Sequence, residues 1–345
     1  MSRIISYPEA LKEAMTLEME SDEHVFILGQ GVDDPKAILG TTAGILDKFG
    51  PKRIFDVPLA EDGITGIALG AAIAGLKPIH IHIRNDFLLL AMNQIVNMVA
   101  KMRYMYGGVH TAPMVIRATI GKSWGQGPQH SQSIYPMLMN VPGLRIVAPT
   151  TPYDAKGIMA ASIRSSDPVI FIEHRSLYYQ KGDVPKEAYA LPFGKARTLA
   201  QGDDVTLVGV SQMAIECLRA SKCLNEVGIH AHVIDPVTIS PLDIDTILTS
   251  VKKTKHLVVV DNSWLPGALG AEIIAACHES QDCDFKSLRL GFAATPCPTT
   301  PSLEDAFYVD GVSIAKKIYH MLRHDSDWIP NTIIHREEVE FKGPF

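Results

Sequence analysis

Short runs of aliphatic and β-branched residues recur along this chain, and stretches with helical spacing separate them. "HVFILGQ" (24–30) leads into a helical stretch around Ala37–Phe49. "RIFDVP" precedes a Gly- and Ala-rich helix from about Asp62, and "PIHIHIR" precedes a long helix over roughly Phe87–Met105. "APMVIRATIG", "LRIVAPT", "PYDAKGIMAASIRSS" and "PVIFIEH" continue the alternation. Strands joined through helices cannot close as hairpins. They pair in parallel, with helices covering the faces of the sheet. The pattern therefore predicts an α/β fold built on parallel sheets.

A length of 345 residues accommodates about two domains. The alternation lapses in "RSLYYQKGDVPKEAYALPFGKARTLAQGD", which carries Gly, Pro and mixed charge without a sustained period. That stretch divides the chain into a domain over 1–175, a linker over 176–203, and a smaller α/β domain over 204–325. "DVTLVGVS", "IHAHVID", "HLVVVDNS" and "LRLGFAAT" are the strand candidates of the second domain. Its helices are expected over Met213–Leu224, Leu242–Val251, Leu269–Cys277 and Val312–Leu322. Residues 326–345 lack periodicity and read as an arm lying on a partner or on the domain itself.

Composition narrows the function classes. Hydrophobic residues make up 46% and charged residues 20%, with a net charge of −6, which disfavours a nucleic-acid footprint. The most apolar helical candidate, Ile64–Leu76, is too short for a bilayer, which needs about 20 residues. The first residues have neither a signal-peptide core nor a transit-peptide composition. Five cysteines, none in a CxxC pair, suit a reduced, cytoplasmic protein.

Three stretches carry candidate chemistry. In "IHIHIRNDF" (79–87), strand alternation puts His80, His82 and Arg84 on one face and Ile79, Ile81 and Ile83 on the other. A zinc site there would need a third protein ligand, and none is evident nearby. "IHAHVID" repeats the His-x-His spacing at His230 and His232, where no site is expected. In "DVPLAEDGITGIALGAA", Glu61 and Asp62 fall at a strand-to-helix turn. Acidic residues there complement the helix dipole; equally, a carboxylate there sits where open α/β sheets bind ligands. "GKSWGQGPQHSQS" (121–133) is Gly-rich but has neither the P-loop ending nor dinucleotide spacing, and His130 is its candidate base or donor. There is no GxSxG elbow and no HExxH pair.

"FDVPLAEDGITGIALGAAIAGLKPI", "NDFLLLAMNQIVNMVAKMRYMYGG", "PQHSQS", "PGLRIVAPTTPYDAKG" and "DPVIFIEH" resemble the β subunit of thiamine-diphosphate-dependent 2-oxoacid dehydrogenases. These are the decarboxylating components of the pyruvate, branched-chain and acetoin dehydrogenase complexes. "GDVPKEAYALPFGKA" leans towards the acetoin and pyruvate members. "GDDVTLVGVS", "VIDPVTISPLD" and "KKTKHLVVVDNSWLPGALGAEI" extend the resemblance through the second domain, over about residues 5–320. It implies a transketolase-type pyrimidine-binding domain followed by a transketolase-type C-terminal domain.

The resemblance also implies roles. The glutamate matching Glu61 hydrogen-bonds a ring nitrogen of the cofactor's aminopyrimidine, driving the imino form that generates the ylid. Leu59 adjoins the cofactor, the aromatic matching Phe87 stacks on the pyrimidine, and the histidine matching His130 reaches the substrate. A structural monovalent-cation site, for K+, is implied in backbone near Ala161 to Asp167. The family's magnesium- and diphosphate-binding GDG…N segment has no counterpart here and belongs to an α subunit. The chain is thus expected to hold half of each active site in an α2β2 heterotetramer. The expected product is an acyl group passed to lipoamide on a partner acyltransferase.

Around these anchors the sequence departs from the family. Ile81 stands where an acidic residue is usual, Arg84 where an apolar or small one is, Asn93 where aspartate is, and Trp124 is unusually bulky. Arg84, His82, Trp124 and Gln129 are therefore the candidate substrate-contacting residues. The alternative function is a stand-alone two-subunit ketolase joining a pyruvate-derived acyl carbanion to a carbonyl acceptor such as a sugar derivative.

Overall fold

The computed structural model describes residues 2–34, 37–121, 125–280, 284–325 and 327–332. The chain divides into two compact units, one built on residues up to 193 and the other on residues from 194 onward, with 125–128 joining the second.

In the first unit, β2 (Val25–Gly29), β3 (Ile54–Asp56), β4 (Lys77–His82), β5 (Val115–Ile120), β6 (Arg145–Val147) and β7 (Val169–His174) form one sheet in the order β6-β7-β5-β4-β2-β3. All the pairings among them are parallel. Both faces are covered, so the strands read as continuous apolar runs: Ile27, Ile79, Ile116 and Ile170 are fully buried. The chain moves outward from β2 to β3 in one direction and from β4 through β5 to β7 in the other. The order thus reverses between β2 and β4, and ligands of open α/β sheets bind beyond the carboxyl ends of the strands at such a reversal. A separate antiparallel pair joins β1 (Ser2–Ser6) to β8 (Lys181–Pro185).

Sequence chemistry explains the helix starts. Ser6 and Glu9 close a capping box at the helix Tyr7–Ser21, with Pro8 in the first turn. Thr151 accepts from the Asp154 N–H at the start of Pro152–Arg164. Beneath the sheet, Arg117 donates to both oxygens of Glu173, at 2.7 and 2.8 Å, and the Tyr178 hydroxyl donates to the same carboxylate at 2.8 Å. Arg117 and Glu173 are fully buried, so the pair fixes the β5–β7 register by being costly to break.

Two expectations change. The long helix over Phe87–Met105 is instead a tight helix at Asn85–Ala91, a wide one at Asn93–Val99 and a last turn at Met102–Met105. The wide segment closes with the Ala100 N–H on the Ile95 carbonyl, five residues back. The helical stretch of Ala37–Phe49 is broken, because Ile38 and Leu39 are left-handed and Gly40 and Gly44 have positive φ.

In the second unit, β9 (Arg197–Ala200), β10 (Val205–Gly209), β11 (Ala231–Asp235), β13 (His256–Trp264) and β14 (Lys286–Phe292) form a sheet in the order β14-β13-β10-β11-β9; the short β12 spans Thr238–Ser240. Only β9 runs antiparallel in that sheet. Helices Gln212–Asn225 and Gly311–Arg323 pack on it through Cys217, Leu224, Ile314 and Ile318. Of the arm, the described part lies on this unit: Trp328 packs on Tyr319 with ring centres 4.7 Å apart, and Glu226 accepts from the Asn331 and Thr332 N–H groups. Cys217, Cys223, Cys277 and Cys297 are buried thiols. No helix among the described residues is long and apolar enough to cross a membrane.

Candidate active site

The first unit gathers its candidate residues beyond the carboxyl ends of its parallel strands. Gln30 follows β2, Glu61 follows β3, Arg84 to Phe87 follow β4, His130 lies in the loop after β5, and Arg175 follows β7. The strand reversal between β2 and β4 puts Gln30 and the Arg84–Phe87 segment on either side of one crevice.

Glu61 is the first residue of the helix Glu61–Ile73 and only 9% exposed. Its Oε1 accepts from Gln30 Nε2 at 3.1 Å, while Oε2 makes no hydrogen bond among the described residues. An oxygen without a partner among the described residues can take a ligand's N–H. Gln30 is a residue that sequence reasoning missed. Its signal was its place directly after a strand, in "HVFILGQ".

Phe87 and His130 meet edge-to-face with ring centres 5.4 Å apart, so the structure brings these two predicted residues together. Asp86 holds the loop that carries His130. Its Oδ1 accepts from the Gln132 backbone N–H at 3.1 Å and from Gln132 Nε2 at 3.0 Å. Burial pushes the Asp86 carboxyl up, partly offset by those two bonds. Buried beside it, Asn85 Oδ1, Asp86 Oδ2, Ser131 Oγ and Ser133 Oγ have no hydrogen-bond partner among the described residues.

The histidines lie on β4, and the arginine follows it. β4 ends at His82, so strand alternation does not extend to Arg84. His80 and His82 pack ring on ring at 4.2 Å, and His80 Nδ1 lies 3.4 Å from Thr65 Oγ1. Burial drives both imidazoles towards the neutral form, His82 to about 4, and His82 Nε2 has no hydrogen-bond partner among the described residues. Arg84 instead has Arg175, Asp86 and Tyr178 as its titratable neighbours. Burial, then the Arg175 charge, lowers the Arg84 guanidinium to about 9. No group of three or more His, Cys, Asp or Glu side chains among the described residues could hold a metal.

Leu59 is 81% exposed and Gln129 is exposed as well. Ala161 is in the helix Pro152–Arg164, and the Asp167 carbonyl accepts from Ser165 Oγ at 2.8 Å. The Asp167 carboxylate pairs with Arg103 and Arg145. Trp124 lies outside the described residues.

Residues 3–181 match the transketolase pyrimidine-binding domain, and residues 194–314 match the transketolase C-terminal domain. The chain is 39% identical over 321 residues to the β subunit of acetoin:2,6-dichlorophenolindophenol oxidoreductase of Bacillus subtilis, covering 89% of this chain and 94% of that protein. The 2-oxoisovalerate dehydrogenase β subunit of the same organism is 39% identical over 311 residues, covering 89% and 95%. The pyruvate dehydrogenase E1 component β subunit of Rickettsia bellii is 43% identical over 271 residues, covering 79% and 83%. In fold, the chain matches a solved split-gene transketolase, an inactive β4 tetramer, with a TM-score of 0.75 at 21% identity, covering 92% of this chain and 98% of that one. With both domains matched in order, and with such relatives over most of its length, the chain belongs to the β-subunit family of the thiamine-diphosphate-dependent 2-oxoacid and acetoin dehydrogenases.

Proposed function

We propose that this chain is the β half of a two-component thiamine-diphosphate enzyme that decarboxylates a 2-oxoacid, or cleaves acetoin, and passes the acyl group to lipoamide. The observation that carries the reading is Glu61: a helix-start carboxylate with one oxygen fixed by Gln30 and the other unengaged, at the sheet's reversal point. Those features fit an aminopyrimidine, whose ring N–H needs one acceptor and whose face needs an aromatic. Thiamine diphosphate, when bound, supplies the stabilised carbanion and the electron sink.

The chain's own residues supply the rest. Glu61 holds or releases a proton at Oε2, and the Gln30 amide keeps that oxygen aimed by occupying Oε1. Phe87, half-buried, offers its ring as the pyrimidine's platform. His130, braced edge-on against Phe87, points a hydrogen-bonding imidazole at the substrate. The Asp86–Gln132 bonds keep that loop from drifting. The α subunit contributes the diphosphate and Mg2+ site in an α2β2 assembly, and a lipoyl acyltransferase receives the product. A K+ ion bound by carbonyls near Ala161 to Asp167 would brace the domain. Buried cysteine thiols suit a reducing, cytoplasmic setting.

A second reading, the ketolase with a carbonyl acceptor, is favoured by one observation. Asn85 Oδ1, Ser131 Oγ, Ser133 Oγ and His82 Nε2 offer buried hydrogen-bonding capacity unused among the described residues, which suits a hydroxyl-rich acceptor.

The test reconstitutes the chain with its α subunit and follows pyruvate-dependent dye reduction and acylation of a lipoyl domain. Glu61→Ala is expected to abolish turnover; full turnover in that variant would overturn the role of Glu61. Turnover with a sugar aldehyde or ketone, without lipoyl acylation, would replace the first reading by the second.

A further inference from the structure

In the second unit a surface cavity of about 690 Å³ lies between the edge strand β14 and the helix Gly311–Arg323. Lys286 from the strand and Lys316, Lys317, His320 and His324 along the helix and its C-cap line it. Among the described residues no acidic side chain lines it. That is a local reversal of sign in a chain whose net charge is −6.

The lysines are also unspent. Elsewhere Lys48, Lys77 and Lys253 find Glu20, Asp22 and Asp203. Lys286, Lys316 and Lys317 make no ion pair among the described residues. Helix-dipole complementarity accounts for His320, in the last turn, but not for Lys316 and Lys317, which precede it. The helix itself is well anchored. Asp310 and Ser313 close a capping box, and Ile314 and Ile318 are buried in the core, so the cationic face is held in place.

We propose that this cavity binds a phosphorylated small molecule. Three ammonium groups are point charges that suit a multiply charged, three-oxygen anion. Among the described residues no arginine fork lines the cavity to favour a carboxylate. The Ser287 hydroxyl adds a neutral donor, and Leu288 and Met321 give the floor an apolar surface for the organic body. The volume falls in the range of roughly 300–1,000 Å³ usual for small-molecule sites, several times what a bare phosphate needs.

The experiment uses the full chain with its α subunit and saturating thiamine diphosphate, so that the cofactor's own diphosphate site is filled. Inorganic pyrophosphate is titrated by calorimetry and by the methyl resonance of Met321, assigned with Met321→Leu. Saturable binding that shifts the Met321 methyl and weakens at least tenfold in Lys316→Ala/Lys317→Ala, with the melting temperature unchanged, is expected. Raising salt from about 50 to 200 mM should weaken it further. Absence of saturable binding, an unmoved Met321 methyl, or binding indifferent to the lysine changes would each overturn the proposal. Pyrophosphate-insensitive retention on anionic phospholipid vesicles would assign the lysines to a membrane surface instead and overturn it too.

Discussion

Gln30 and Glu61 lie thirty-one residues apart in the sequence, yet the amide of one donates to the carboxylate of the other at 3.1 Å beside the point where the sheet's strand order reverses. Each side chain comes from the residue or turn that follows a different strand, so the contact exists only once the parallel sheet has formed. If Gln30 serves to aim Glu61, then Gln30→Ala should lower turnover of the reconstituted enzyme about 10- to 100-fold, the scale of a lost positioning contact. Thiamine diphosphate affinity should change much less. Equal losses in the two quantities, from kinetics and cofactor titration, would assign Gln30 to cofactor binding instead.

The Arg117–Glu173 pair predicts an asymmetry between breaking and replacing. Arg117→Met leaves Glu173 buried with only the Tyr178 hydroxyl and should cost about 3–5 kcal/mol of stability. Removing both charges, with Arg117→Met and Glu173→Leu together, should recover at least half of that. Denaturant midpoints of the two variants against the parent decide it.

Acid should move the two units in opposite directions. His82 falls to about 4 in the folded protein, below its ordinary 6.5, so the stability it contributes is present above pH 6.5 and lost as pH falls through about 4. Asp261, in the second unit, rises to about 6 through burial; its contribution is full below about 3.8 and lost as pH rises through about 6. Each effect is worth roughly 3 kcal/mol at most. His82→Gln should flatten the acid-side loss in the first unit, and Asp261→Asn the opposite slope in the second. Hydrogen exchange resolved by peptide from pH 4 to 6.5, corrected for intrinsic rates, reads both.

Gly143 has φ +101, and a Cβ there would overlap the Ala100 carbonyl oxygen, the residue at which the wide helix Asn93–Val99 ends. Gly143→Ala combines a strained backbone with a steric clash and should cost about 2 kcal/mol or more. A melting-temperature change within error would show that the neighbouring turn yields freely.

Long apolar patterns were the most legible part of this chain. The strands around Ile27, Ile79, Ile170 and Val258 fall where their runs of aliphatic residues predict, because a parallel sheet buries both faces and leaves a continuous signal. The break-up of Phe87–Met105 was not legible, since turns closed over three, four or five residues leave nearly the same apolar spacing. Strands β8 and β9 sit inside the 176–203 stretch, and their pairing partners are far off in sequence or antiparallel edges, so little alternation marks them. At the site, Phe87 and His130 were legible through the family resemblance, and the structure puts them in contact. Gln30, Asp86 and Gln132 were not, because each acts through a tertiary hydrogen bond whose partner the sequence does not point to. The strand ends at His82, so Arg84 stands in the extended segment that follows it.

The pairing of β1 with β8 sets an order of events during synthesis. Ser2–Ser6 leave the ribosome long before their partner, Lys181–Pro185, is made. Until then this segment is an unmatched edge carrying the exposed Ile4, open to any other extended chain. A chain still being made is therefore vulnerable to mispairing at this strand. Fusions or truncations that disturb residues 2–6 should show up first as poor yield of folded protein, before any effect on chemistry.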